Sequence, residues 1–205
     1  MDCPATDDCS PLSDVDENDL AKRAQGGCAS SFAELTRRFR PRLINVLCRN
    51  RSGRQSSDAD DIVQDAFTKA WQNIERYDGR WQVSTWLYTI TLRIASDYAR
   101  SDKRRQKGHA ITPPIAQDTA DAIAERHDEA ENLWNVAAAN LSDVHYKVMW
   151  LRYGEDLTVQ EVAQALGRTV IATRVLLHRA RAKLQSHFVK ASRAGGSVAE
   201  GENSI

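Results

Sequence analysis

The sequence predicts an all-α fold of two small helical domains joined by a flexible linker, the second a helix-turn-helix domain. Three observations carry this. Apolar residues recur at i, i+3 and i+4 through most of the chain, and no stretch alternates with the period of two that a strand requires. Pro113-Pro114, followed by an acidic stretch, separates two such regions. Residues 157–184, LTVQEVAQALGRTVIATRVLLHRARAKL, read as two capped helices around a tight turn.

In chain order, residues 1–17 are polar and acidic and predict a disordered tail. The first domain is expected over 18–107. Leu20, Ala24, Phe32, Leu35, Phe39, Leu43, Val46 and Leu47 form a helical apolar set over 18–51, and Gly26-Gly27 splits it into two helices. RSGRQSS, 51–57, is a loop. From 58 to 76 the residues Ile62, Val63, Ala66, Phe67, Ala70, Trp71 and Ile74 make a wide apolar stripe. Asp58, Asp60 and Asp61 crowd its start, where the helix dipole favours negative charge. After a turn at Asp78-Gly79, a helix over 84–102 places Trp86, Leu87, Ile90, Ile94 and Tyr98 on its apolar side.

A linker follows over 108–130, the second domain over 131–190, and a flexible Gly/Ser-rich tail over 191–205. Trp134, Val136, Val148, Trp150, Leu151 and Tyr153 are its expected core. Thr158 and Glu161 have the spacing of a capping box, and Gly167 suits the left-handed conformation that ends a helix. Thr169 caps the next helix, whose inward positions are Val170, Thr173, Leu176, Leu177, Ala180 and Leu184.

The formal net charge is zero, from 28 basic and 28 acidic residues, but it is a cancellation between regions. Positions 1–20 hold seven acids and no Lys or Arg, while Arg100 to Lys107 holds five basic residues and one acid. No apolar run reaches the roughly 20 residues of a membrane span, and no signal-peptide pattern is present, so a cytoplasmic chain without membrane insertion is expected. There Cys3, Cys9, Cys28 and Cys48 are expected to be reduced, and their spacings match no zinc signature. No phosphate-binding glycine loop, metal cluster or nucleophile–base constellation occurs. Neither an enzyme nor a cofactor is expected.

Chemistry that suits nucleic acid appears in two places. The second helix of the pair at 157–184 is flanked and studded by Arg168, Arg174, Arg179, Arg181 and Lys183 with no acid among them. Such a helix enters a DNA major groove, early residues facing base edges and later cations meeting phosphates. Around 77–107, Tyr77, Arg80 and Trp81 precede a helix carrying Arg93, Asp97 and Arg100 and a basic end. Rings beside cations are what single-stranded DNA needs, because bases stack while phosphates are neutralised.

DADDIVQDAFTKAW, followed by STWLYTITLRIASDYARSDKRR, resembles region 2 of bacterial RNA polymerase sigma factors of the extracytoplasmic-function class, and the terminal helix pair resembles their region 4. The resemblance covers most of residues 31–188. It implies a dissociable subunit that binds core RNA polymerase and directs it to promoters. On the residues alone, the polar face at 58–74 reads as solvated. The resemblance implies that Asp61, Gln64, Asp65 and Gln72 dock on the coiled coil of the largest polymerase subunit.

For melting and reading of the −10 element it implies Arg80, Trp81, Arg93, Asp97, Arg100, Arg104 and Arg105. For the −35 element it implies Arg168, Thr169, Ile171, Ala172, Arg174, Val175, His178, Arg179 and Arg181. Val175 and Leu176 stand where the family has Ser and Arg, and Arg93 stands at its usual Asn. Further implied partners are the flap of the second-largest subunit and an anti-sigma factor. The alternative reading is a helix-turn-helix regulator that binds duplex DNA without polymerase.

Overall fold

The computed structural model describes residues 12–47, 56–107 and 128–195, with side chains over 12–47, 59–101 and 133–189. Cys3, Cys9, Cys48 and the expected linker core at 108–127 lie outside the described residues. Among the described residues every regular element is helical, and no helix is long and apolar enough to cross a membrane.

The first half consists of α1 (Glu17–Gln25), α2 (Ala29–Leu47), α3 (Ser56–Gln72) and α4 (Val83–Lys107), with a 3-10 turn at Ile74–Arg76. Asp16 caps α1 by accepting from the Asn18 amide at 2.8 Å. Gly27, at φ 91°, supplies the turn into α2 at no steric cost. Leu20, Leu35, Phe39, Leu43, Val46, Val63, Leu87 and Tyr88 close a core in which each is at most 1% exposed.

The second half holds α5 (Asp128–Asn140), α6 (Asp143–Met149) with a π-helical turn at Trp150–Gly154, α7 (Val159–Ala165) and α8 (Val170–Gly195). Val148, Leu151, Leu157, Val162, Leu177 and Ala180 pack this half. The Thr158–Glu161 capping box is formed, and Gly167 leaves α7 at φ 61°. Thr169 caps α8 by accepting from the Ala172 amide at 3.2 Å.

Several expectations are corrected. Trp71, expected in the core, is 39% exposed, because it lies in the last turn of α3, where Phe32 of α2 packs on one side of it at 4.9 Å between centroids. Tyr98 and Tyr153 are likewise exposed; Tyr98 turns its hydroxyl to Asp65 and Tyr153 lies beside Arg152. α8 continues to Gly195, past the expected start of the tail. Cys28 is disulfide-bonded rather than reduced, and it is buried beside Ser31, whose hydroxyl donates to its Sγ.

Residues 12–17, expected within a disordered tail, are held. Leu12–Asp14 forms a 3-10 turn, and Arg38 donates to the carbonyls of Leu12, Ser13 and Val15 at 2.6–2.9 Å. Arg38 also meets Glu34, which Arg37 grips from the other side. Hydrogen bonds from Arg37, then Arg38, hold the Glu34 carboxyl at about 2 rather than 4.5. A depressed carboxyl stabilises the fold above its ordinary value and loses that contribution as pH falls toward about 2. In a carbon-13 NMR titration, Glu34 is expected to have its midpoint near about 2, and Arg38→Gln to move it toward 4.5.

The two halves are not separate bodies. One apolar cluster runs from Leu20 through Leu87 and Tyr88 to Leu157, Val162 and Leu184, with α4 packed against both α3 and α7.

Candidate nucleic-acid and protein interfaces

The α3 apolar stripe, Ile62, Val63, Ala66, Phe67 and Ala70, is buried. Its opposite face therefore presents Asp61, Gln64, Asp65 and Gln72, all exposed and at helical spacing. Tyr98 donates its hydroxyl to Asp65 at 2.6 Å, fixing that carboxylate. This hydrogen bond, then burial and the nearby acids, raises the Tyr98 pKa and keeps the phenol protonated as a donor. The face is exposed and carries two carboxylates one turn apart, which suits a basic helical partner.

Arg80 and Trp81 sit on the loop between the 3-10 turn and α4. Asn18 builds that loop: its Oδ1 accepts from the Val83 amide at 2.9 Å and from the Tyr77 hydroxyl at 3.2 Å. The Tyr77 hydroxyl shares its one proton between Asn18 Oδ1 and the nearer Trp81 carbonyl, at 2.7 Å. On this braced loop Trp81 is 38% exposed and Arg80 points outward, paired with exposed Asp78 at 3.1 Å. Trp86 is half-buried and tilted against Tyr77 at 5.3 Å, a packing position.

Arg93, Asp97 and Arg100 occupy one exposed face of α4 at i, i+4 and i+7, Asp97 pairing with Arg100 at 3.4 Å. The −10 set is thus brought together only in part. Arg93 lies ten residues, roughly 15 Å of helix, beyond the start of α4 at Val83. The side chains of Arg104 and Arg105 lie outside the described residues. Sequence reasoning missed Lys69, Asn73 and Arg76, which share with Trp86 and Arg93 a cleft of about 270 Å³. Their spacing of i, i+4 and i+7 was the available signal.

On α8 the inward positions Thr173, Leu177, Ala180 and Leu184 are buried. Arg168, Thr169, Ile171, Arg174, Val175, His178, Arg179 and Arg181 are exposed, and Ala172 is half-exposed. Ile171 is 75% exposed and Val175 43%, so the start of the helix shows an apolar tip flanked by cations. On the neighbouring α6, His145 has its pKa lowered by burial and then by Lys183 and Arg179, which marks the positive field at this end.

Between the halves, Arg42 of α2 bridges Glu17 of α1 at 2.7 Å and Glu155 of the turn before α7 at 2.6 Å. Burial opposes the guanidinium charge, and the hydrogen bond and charge of Glu155 outweigh it, raising the Arg42 pKa. The sequence offers no periodic signal for this pair, which is separated by 113 positions.

Residues 35–105 match the family described as Sigma-70 region 2, and residues 137–186 match Sigma-70, region 4. The chain is 30% identical over 182 residues to the RNA polymerase sigma factor NccH of Alcaligenes xylosoxydans xylosoxydans, covering 83% of this chain and 92% of that protein. It is 28% identical over 165 residues to the RNA polymerase sigma factor YlaC of Bacillus subtilis, covering 78% and 93%. Its fold is similar to that of the sigma factor RpoE of Bartonella quintana, solved with the anti-sigma factor NepR. The TM-score is 0.60 at 19% identity, covering 77% of this chain and 96% of that one.

Proposed function

The chain belongs to the extracytoplasmic-function class of RNA polymerase sigma factors, and from that premise we propose which of its surfaces performs each step. It binds core RNA polymerase, directs the enzyme to promoters and takes part in transcription initiation. The observation that carries the assignment of surfaces is the exposure of two chemically distinct faces on buried-stripe helices, one acidic on α3 and one basic on α8.

Asp61, Gln64, Asp65 and Gln72 form the docking face for the largest-subunit coiled coil. Arg80 and Trp81 on the braced loop stack and neutralise melted −10 DNA, and Arg93, Asp97 and Arg100 follow the strand along α4; Arg104 and Arg105, later in the sequence of the same helix, belong to the same set. Stacking a freed base on an exposed ring is worth about 1–3 kcal/mol, comparable to the cost of unstacking it. At the −35 element the early α8 residues face base edges. Ile171, Ala172 and Val175 can meet thymine methyls but offer no side-chain hydrogen bonds, so this helix favours thymine-bearing steps at those positions. Arg168, Thr169, Arg174 and His178 flank that contact, and Arg179 and Arg181 meet phosphates.

The functional domains are 18–107 and 131–190, between a tail at 1–17, a linker at 108–130 and a tail at 191–205. The chain works in the cytoplasm as a specificity subunit and leaves phosphodiester chemistry to the polymerase. The region 4 half also meets the flap of the second-largest subunit, and an anti-sigma protein competes for the same faces.

Multi-round transcription with purified core polymerase and a promoter library tests the reading; no complex with core would overturn it. Replacing Arg179 or Arg181 with Ala is expected to weaken promoter binding uniformly across sequences. Each should reduce the salt slope by roughly one unit. A change in base preference would instead place that arginine on a base edge.

A further inference from the structure

The segment that carries Arg80 and Trp81 has its ends fixed from another helix. Residues 78–82 are exposed, between buried Tyr77 and buried Val83. Gly79, at φ 69°, and the Asp78 carboxylate, which accepts from the Arg80 amide at 3.1 Å, make the bend. α4 then starts at Val83, after Gln82, whose carbonyl accepts from the Trp86 amide. Gln82 is not among the residue types that cap a helix start well, so the first amide of α4 needs an acceptor from elsewhere.

α1 supplies it. Asn18 turns Oδ1 to the Val83 amide at 2.9 Å and to the Tyr77 hydroxyl at 3.2 Å, so one oxygen touches both ends of the exposed segment. Gln25 lies two turns further along the same face of α1 and donates Nε2 to the carbonyls of Tyr77 at 2.5 Å and Ile74 at 3.1 Å. Both side chains are half-buried. They bridge a cleft of about 490 Å³ between α1 and the loop, which Lys22, Asp78, Arg80 and Gln82 also line. Across so polar a cleft, directional hydrogen bonds rather than apolar packing set where the loop stands.

We propose that Asn18 and Gln25 are positioning residues for promoter melting, holding segment 77–83 in the shape in which Trp81 and Arg80 receive an unstacked base. The proposal rests on the reading of Arg80 and Trp81 as the residues that meet melted −10 DNA. A loop already in its binding shape spares the cost of ordering it when a base is captured. The two amides act in opposite senses. Asn18 works through its oxygen, because its partners on the loop are an N–H and an O–H. Gln25 works through its nitrogen, because both its partners are carbonyls. An amide-to-acid change therefore separates them. Asn18→Asp keeps the acceptor and sets a carboxylate beside the N-termini of α1 and α4, where the helix dipoles favour it. Gln25→Glu removes the donor and opposes a carboxylate to two carbonyl oxygens.

The test uses the full chain in holoenzyme with core polymerase, on a promoter recovered from the library, with 2-aminopurine in the non-template strand of the −10 element reporting melting. Asn18→Leu and Gln25→Glu are each expected to slow opening about tenfold, the equivalent of one or two lost hydrogen bonds. Asn18→Asp should stay within about twofold of wild type, since its acceptor is retained. Core affinity should change by less than about twofold in all three, because none of these groups lies on the α3 docking face. In the free chain, exchange of the Val83 amide should quicken about tenfold in Asn18→Leu and hold its wild-type rate in Asn18→Asp.

The proposal is overturned if Asn18→Leu opens the promoter at the wild-type rate, or if Asn18→Asp is as slow as Asn18→Leu. It is overturned equally if core affinity falls by the same factor as opening, the mark of a general loss of fold. Failure of the underlying reading looks different: Trp81→Ala then opens the promoter as wild type does, and the positioning role falls with it. A slow Trp81→Ala beside a wild-type Asn18→Leu removes the positioning role alone.

Discussion

Reversing the charge at both Asp61 and Asp65 to Lys is expected to lower affinity for core polymerase by at least about 100-fold while leaving the fold intact. The two carboxylates lie one turn apart on the exposed face of α3, the stripe beneath them being buried. An interfacial charge pair lost at a hot spot costs about 2–5 kcal/mol, and a like charge put in its place adds repulsion. The structural cost is small by comparison. Asp61 lies beyond the first turn of a helix that begins at Ser56, so its dipole contribution is a few tenths of a kcal/mol. Asp65 loses the Tyr98 hydrogen bond, but both partners are exposed and the net loss is on the order of 1 kcal/mol. Native gel shift or surface plasmon resonance with core enzyme measures the first effect, and thermal unfolding measures the second. Unaltered core binding would remove α3 from the interface.

What the sequence could convey follows from how far apart the cooperating residues lie. The capping box at Thr158 and Glu161, the Gly167 exit and the buried positions of α8 are all set by neighbours within four residues, and all were legible. The exposed acids of α3 and cations of α8 were equally legible, because a helix with one buried stripe must present the other. Trp71 was misplaced because its size argues for burial, while its actual environment depends on whether another element covers the end of α3; Phe32 of α2 covers it in part. The N-terminal strap at 12–15 was missed for a similar reason. It is held by Arg38 through backbone carbonyls, and a carbonyl acceptor leaves no residue signature. The bridge from Arg42 to Glu155 joins positions 113 apart through charges that each read as solvated. A bipartite reader looked, in sequence, like two independent halves, and only the packing of α4 against α7 shows them sharing a core.

That shared core makes Phe39→Ala the largest single-residue loss of stability expected here. Phe39 is fully buried in α2, and the Arg42 guanidinium lies over its ring at 4.4 Å. Removing the ring costs about 3–5 kcal/mol for the lost transfer and the cavity. The cation–π contact adds roughly 0.5–2 kcal/mol. Against a total stability of about 5–15 kcal/mol this is a large fraction, and a melting point lower by roughly 7–28 °C is expected. The shape of the transition is more informative than its midpoint. Arg42 reaches Glu155 from above this ring, so a displaced guanidinium loosens region 4 as well as region 2. Calorimetry of Phe39→Ala is therefore expected to split one cooperative transition into two, region 2 melting first and the α6–α8 half later. Leu151→Ala, a fully buried change on the other side, should reverse that order. A single transition in both variants would mean that the common cluster keeps the halves cooperative without the Arg42 bridge.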